Sequence, residues 1–520
     1  MKIMEKDILI KKPWKRVHSS GSENSGVFFG PIYPSSPIDN LTYTIASQAD
    51  FMREYYPSGH AINNPAIYPD IYREEDYDIL DENGDPTGKK GHRVYKEAIP
   101  RYAFAFQQTI LVKQCVHLCG NDIQFELNVE KRTDWQEEVS RIIREGWLQK
   151  DMEVAFFESV KSVKMTGDAA FVGYLHGGKF SFRVFSFKDG YTLFPHYDFS
   201  GKLKTFAISY YDYDEEGETV TKWVEVWDKK YYSRFKQALG KTRSLADKAK
   251  SILGLDGFVT VVPPTVHGFQ DIPVAYKRDD DGPCWSPSQD SIEGYELSFS
   301  QMAQNNQAFG EPILVLQSEG EKGIDIQHGI NGSIKMLGMS TDDKASYLPA
   351  QSASESYMKQ LDAFYKMIYE QSFVVAPPEL KSGDLPAAAL KILYSPAYEK
   401  AMVDAQDYQF FLNDMVSIFL YGYGVEKGMT IDFANCPLKW WIKPYVHTNE
   451  STVIQDLASS VQNGFLSRQT ASEKIPFYAT TDEWERIMSE KKREQEADLL
   501  FQLKTQPVIE NGNETDEETN

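Results

Sequence analysis

Between residues 286 and 369 the chain switches period twice, and any fold must accommodate that switch. Ser286, Pro287 and Gln289 have the order of a cap, a first-turn proline and the closing member of a capping box. Ile292, Tyr295, Phe299, Met302 and Phe309 then recur on one helical face. At 1.5 Å per residue the segment to Phe309 spans roughly 35 Å. A glycine-punctuated insert with β character follows, with PILVLQ and SIKMLGM as its short strands. The chain returns as a second helix over about residues 354–369, with Tyr357, Leu361, Phe364 and Ile368 on one face, and stops before Pro377-Pro378. Helix, β insert and returning helix make a stalk with a knob on its end, and one chain alone covers such helices poorly. The same periodicity also fits a two-layer α+β enzyme whose helices pack on a sheet.

The flanking regions read as mixed α and β. Val139, Ile142, Ile143, Trp147 and Leu148 put a helical face within residues 134–165. From Ala170 the pattern alternates, and Gly177-Gly178 between two such runs signals a two-residue hairpin. A second hairpin joins KTFAISYYDYD to TVTKWVEVWD through a turn whose carboxylates read as solvated. Tyr408, Phe411, Met415 and Ile418 mark a helix over about residues 397–421, and MTIDFANCPLKWW reads as a strand returning to the β region. Near the C-terminus, NGFLSRQTASEKIPF is punctuation: Gly464 ends a helix, Ser467 caps a short one and Pro476 stops it. Thr480 and Glu483 open a third helix as a capping box. The first fifty residues read as an irregular arm, and ENGNETDEETN at the end lacks apolar anchors and predicts disorder.

Chemistry is sparse. Gly84-Asp-Pro-Thr-Gly88-Lys89 is one residue short of a phosphate loop, lacks the following Ser or Thr, and reads as a hairpin tip. No G-x-S-x-G or H-E-x-x-H occurs, and the nine histidines are scattered. Cys115 and Cys119 lack the spacing and second pair of a zinc knuckle, so no metal, cofactor or disulfide framework is expected. No run of 18 apolar residues exists, and no membrane partner is expected. A net charge of −21, with no basic run longer than Lys491-Lys492-Arg493, argues against gripping nucleic acid by phosphate neutralisation. It leaves open DNA that slides past without sticking.

Several stretches together resemble the portal proteins of tailed bacteriophages, of the type common in siphophages. NGFLSRQTASEKIPF followed by DEWERIMSE resembles that family's C-terminal signature. EYYPSGHAINN (54–64), LCGNDIQFEL (118–127), KMTGDAAFVGYLHGGKFSFRVF, HGFQDIPVAYKRDDD (267–281) and KSGDLPAAALKILYS resemble further family segments in the same order. The resemblance covers about residues 51–495. The long N-terminal arm and the DENGDPTG insertion depart from it.

The resemblance implies an α+β portal fold: a wing over 51–285 and 398–447, stem helices over 286–310 and 351–377, and a small β-containing clip over 311–350. A tunnel loop over 378–397 and a helical crown over 448–501 complete it, with an arm before residue 51 and an acidic tail after 501. It implies a non-enzymatic ring of twelve subunits at one capsid vertex, in the virion and, during assembly, the host cytoplasm. The ring would be the conduit for packaging and ejection. Its implied partners are the terminase large subunit, a head–tail connector or adaptor, the major capsid protein, and double-stranded DNA passing through the channel. Lys381, Ser382, Gly383, Asp384, Leu385 and Pro386 would line that channel, and Ile292, Tyr295, Phe299, Leu361 and Phe364 would pack the stem. A net-negative wall repels DNA weakly, within a screening length of about 8–10 Å, and so avoids stalling it. From the residues alone, a carbohydrate-active hydrolase on an α+β fold and another capsid or tail protein remain alternatives.

Overall fold

The computed structural model describes residues 11, 14–17, 43–80, 86–96, 99–129, 131, 133–213, 220–239, 258–309, 313–317, 325–328, 334–338, 344–348, 354–376, 392–429, 435–445, 450–473, 475 and 483–505. The fold is mixed α and β, with open sheets. It divides into two compact units, Met1–Pro378 with Pro396–Tyr445, and Glu379–Ser395 with Val446–Asn520.

In the first unit the long helix Ser395–Lys427 runs through the largest core. Tyr408, Phe411, Leu412, Met415 and Phe419 are buried there with Val160 and Val163 of the helix Met152–Thr166. The two helices are also joined by charge: Lys164 Nζ lies 2.6 Å from Asp404 Oδ2 in a buried pair. Burial alone would lower the Lys164 pKa, but the Asp404 carboxylate outweighs it and raises the value. The helix Asp134–Gln149 opens on Thr133, whose capping box with Gln136 is complete. Its buried face carries Val139, Ile143 and Trp147, whereas Leu148, expected on that face, is 73% exposed. One residue past Trp147 turns the side chain about 100° away, and the chain then breaks at Asp151 in a left-handed conformation.

The expected glycine hairpin joins Asp168–His176 to Lys179–Ser186, with Gly177 and Gly178 both at positive φ. Val274–Arg278 completes that three-stranded sheet beside Asp168–His176. The second hairpin, Leu203–Tyr213 with Val220–Asp228, is central to an antiparallel five-stranded sheet. The returning strand is confined to Leu438–Trp441, which pairs with Gln124–Leu127. The N-terminal arm is less irregular than its composition predicts. Trp14–Val17 pairs with Tyr43–Ala46, and Trp14 is buried against Phe51. The acidic segment is a hairpin, Tyr72–Leu80 with Pro86–Lys96; Pro86, Thr87, Gly88 and Lys89, expected at its tip, belong to the second strand, and residues 81–85 lie outside the described residues.

The second unit is helical where described. Glu450–Gln462 ends at Gly464, which has φ +75°, and Ser467 Oγ accepts from Thr470 N at 3.1 Å to start Arg468–Glu473. Pro476 and Thr480 lie outside the described residues. The last helix, Glu483–Thr505, runs a few residues past the predicted start of the tail at 502.

Candidate functional site

The outbound helix Gln289–Phe309 and the return helix Ser354–Gln371 pack against each other as the sequence predicts, with two small antiparallel sheets between them in the chain. Ile313–Gln317 pairs with Lys344–Leu348, and Asp325–His328 with Ile334–Gly338. The start of the outbound helix differs from expectation. Ser286–Ser288 forms a 3-10 turn, with Trp285 in the capping position, so Ser286 is already inside the first turn and its Oγ has no hydrogen-bond partner. Gln289 does not reach back; its Nε2 donates to Glu293 Oε1 at 2.9 Å.

The root of this helix pair is held by polar contacts. Ser288 Oγ donates to the Ile368 carbonyl at 3.0 Å, and Ser291 Oγ donates to Gln371 Oε1 at 3.0 Å. Gly294 lets the helices close: a Cβ there would lie 2.8 Å from Phe364 Cζ. Of the residues predicted to pack the stem, Ile292 and Leu361 are buried, while Tyr295, Phe299 and Phe364 are half-buried. An extended strap lies along the outbound helix. Tyr102 N donates to Ser300 Oγ at 3.1 Å, and the Phe104 ring meets Tyr295 and Phe299 edge-on, each at 5.2 Å.

At the centre of the root, Glu296 Oε1 accepts from Phe104 N at 2.8 Å and lies 2.7 Å from His60 Nδ1. His60 Nε2 faces the Glu54 carbonyl at 2.7 Å. A carbonyl oxygen only accepts, so Nε2 carries a proton, and a carboxylate at Nδ1 favours a second one there. With acceptors at both ring nitrogens, the site favours the doubly protonated, charged ring. Its burial opposes this charge, but the hydrogen bond and charge of Glu296 prevail and raise the His60 pKa above 6.5. Both side chains are 2% exposed. Glu54 completes the anchor by accepting from Trp285 Nε1 at 2.9 Å. The segment EYYPSGHAINN thus supplies two of the contacts that fix the outbound helix.

This anchor was missed in the sequence, although one signal was present. Glu296 falls on the same stripe as Ile292 and Phe299, and an acid among apolar positions demands a partner. The partner, His60, is 236 residues away and no local pattern names it. Lys381, Ser382, Gly383, Asp384, Leu385 and Pro386 all lie outside the described residues.

A cavity of about 540 Å³ elsewhere in the first unit is lined by Tyr197, Phe269, Tyr421, Asp271 and Asp414 among others. Desolvation at the cavity wall, and then the Asp271 charge, push the Asp414 pKa up to about 6. Asp271 itself is engaged, 2.5 Å from Lys202 Nζ. Cys115 and Cys119 are free thiols whose pKa values burial raises, the first to about 11. No group of His, Cys, Asp and Glu among the described residues could hold a metal ion, and no described helix is long and apolar enough to cross a membrane.

A helix pair rooted by a buried ion pair and interrupted by small sheets defines a structural scaffold. The family model described as "Phage portal protein, SPP1 Gp6-like" matches residues 38–497, and the chain belongs to that family. It is a viral portal protein, a non-catalytic subunit of an oligomeric ring and a component of the virion. Among solved structures, a chain in the neck of an empty GTA particle computed with C6 symmetry is similar at 10% identity, with a TM-score of 0.40; the match covers 72% of this chain and 91% of that one. No curated protein matches the chain.

Proposed function

We propose that the ring has twelve subunits in the virion and occupies one capsid vertex beside the major capsid protein. Double-stranded DNA enters through its axial channel, driven by the terminase large subunit, and later leaves through it toward the tail. In this reading the outbound and return helices are the stem, residues 311–350 the clip that docks the connector, residues 51–285 and 398–447 the wing, and 448–501 the crown. Assembly begins in the host cytoplasm. The observation that carries the reading is the rooted helix pair bearing two small sheets, within a chain that the portal-family model matches over 38–497. Strands of four or five residues paired two by two are too small to stand alone, which supports their completion by neighbouring subunits. The net charge of −21 supports a channel that passes DNA without holding it.

Residues 381–386 are the proposed channel loop. Lys381→Glu is expected to reduce packaging of DNA into capsids while ring assembly stays intact; unchanged packaging removes the loop from DNA contact. Particle mass tests the ring itself. Twelve chains of 59.4 kDa give about 710 kDa, whereas a protein that stays at the mass of one or two chains contradicts the proposal.

A further inference from the structure

The hairpin of Tyr72–Leu80 and Pro86–Lys96 is a two-stranded sheet of its own. Its strands reach roughly 30 Å, and among the described elements neither packs extensively on anything but the other. A lone hairpin is marginal in water, and this one leaves Tyr72, Val94 and Tyr95 exposed. Its charge is sorted by strand. Tyr72–Leu80 carries Glu74, Glu75, Asp76 and Asp78 against the single base Arg73. Pro86–Lys96 carries Lys89, Lys90, Arg93 and Lys96, with His92 and no acid. With only two strands, each is an edge, so the hairpin has one acidic edge and one basic edge. Some charge is used within the chain, as where His92 Nδ1 lies 2.9 Å from Asp76 Oδ1 and Lys96 Nζ lies 2.7 Å from Asp70 Oδ2. Those pairs cross the hairpin or sit at its base, and the sorting by strand persists.

A ring repeats its subunit by rotation, so one face of each copy meets the opposite face of the next. We propose that this hairpin is a contact between subunits, in which the basic strand Pro86–Lys96 of one copy lies against the acidic strand Tyr72–Leu80 of its neighbour. The occupant of each edge is a second copy of this chain, selected by charge complementarity. Double-stranded DNA is a poorer occupant, because the acidic strand runs about 5 Å beside the basic one and weakens the field a phosphate would feel. The inference rests on the ring reading and assigns a role to the segment that departs from the family pattern.

Charge reversal in the full-length chain tests it. One variant carries Glu74→Lys with Asp76→Lys, the other Lys90→Glu with Arg93→Glu. Each alone is expected to raise the protein concentration for half-assembly at low salt by about tenfold, because like charges then face each other between subunits. Within one hairpin Glu75 stands opposite Arg93 and Asp78 opposite Lys90, so each reversal also lowers the thermal stability of the unassembled chain slightly, and the mixture separates that loss from the contact between subunits. Mixing the two variants one to one is expected to restore rings of alternating composition, which repair within a chain cannot do. Two results overturn the inference: both variants assembling like the parent, or a mixture that assembles no better than its parts. Loss of DNA retention by the Lys90→Glu, Arg93→Glu variant with normal assembly also overturns it, in favour of nucleic acid. If the unmodified chain forms no ring at all, the ring reading fails and the hairpin contact fails with it. If rings form and ignore both reversals, only the hairpin contact is lost.

Discussion

The two ends of the helix pair are built differently. At the root, Ser288, Ser291, Ile292, Glu296, Ile368 and Tyr369 are buried, and the polar ones among them have partners from the return helix, the strap or the His60 segment. Beyond Ser300 on the outbound helix and before Leu361 on the return helix, no described side chain is buried. Met358, for instance, is 54% exposed. The root therefore has its energy within one chain, whereas the distal half has helical hydrogen bonds but little packing. Helices in proteins gain most of their stability from tertiary burial, so the distal half is the part that neighbouring subunits can complete. An ion pair at the root also makes physical sense in these terms. Buried charges contribute little net stability, but they penalise every arrangement in which the partners fail to meet.

Five substitutions break or sharpen this contrast, and the largest effect belongs at the root. Glu296→Ala leaves the buried His60 and the Phe104 N–H without their acceptor and should cost about 3–5 kcal/mol in denaturant unfolding. The pair also carries a pH signature. The folded His60 pKa is raised, so its contribution is fully present below the unfolded value of 6.5 and is lost as pH rises through the folded value. Unfolding midpoints should fall over that window in the parent, and this slope should vanish in His60→Asn. A flat profile in the parent contradicts the raised His60 pKa.

Leu361→Ala sits at the boundary between the two halves and should cost about 2–3 kcal/mol, as a buried leucine does when the cavity cannot fully close. A loss below about 0.5 kcal/mol, the size of an ordinary surface change, would place it with the distal half instead. Gly294→Ala pushes a methyl toward the Phe364 ring. Overpacking outweighs the better helix propensity, for a net loss of about 1 kcal/mol. A gain in stability shows that the ring yields. Met358→Ser, in the distal half, should change the isolated subunit by less than about 0.5 kcal/mol. In assembled rings the same substitution should show a larger shift in thermal midpoint, and equal shifts in both states leave this position outside any subunit contact.

Periodicity made the helix pair, the glycine hairpin and the long helix legible, because each depends on residues within a few places of one another. Ile292, Leu361, Tyr408 and Met415 were found on buried faces for that reason. The start of the outbound helix was misread because Ser286 and Pro287 fit an α-helical cap and a 3-10 turn equally well. Leu148 was misplaced because at 100° per residue it lies on the opposite side of the helix from Val139, off the buried stripe. The anchor escaped because its parts, Glu54, His60, Phe104, Trp285 and Glu296, come from four separate stretches and meet only after folding. The arm was read as irregular, although Trp14 finds Phe51 and the Asp279 carbonyl, the latter 265 residues away.

Hydrogen–deuterium exchange along both helices, measured on the isolated subunit and on assembled rings, tests the contrast most directly. The account predicts slow exchange over residues 291–300 and 361–371 in both states. It predicts fast exchange over residues 301–309 and 354–360 in the isolated subunit, with protection appearing there on assembly. Protection of the distal half already in the isolated subunit, or none gained in the ring, would contradict it.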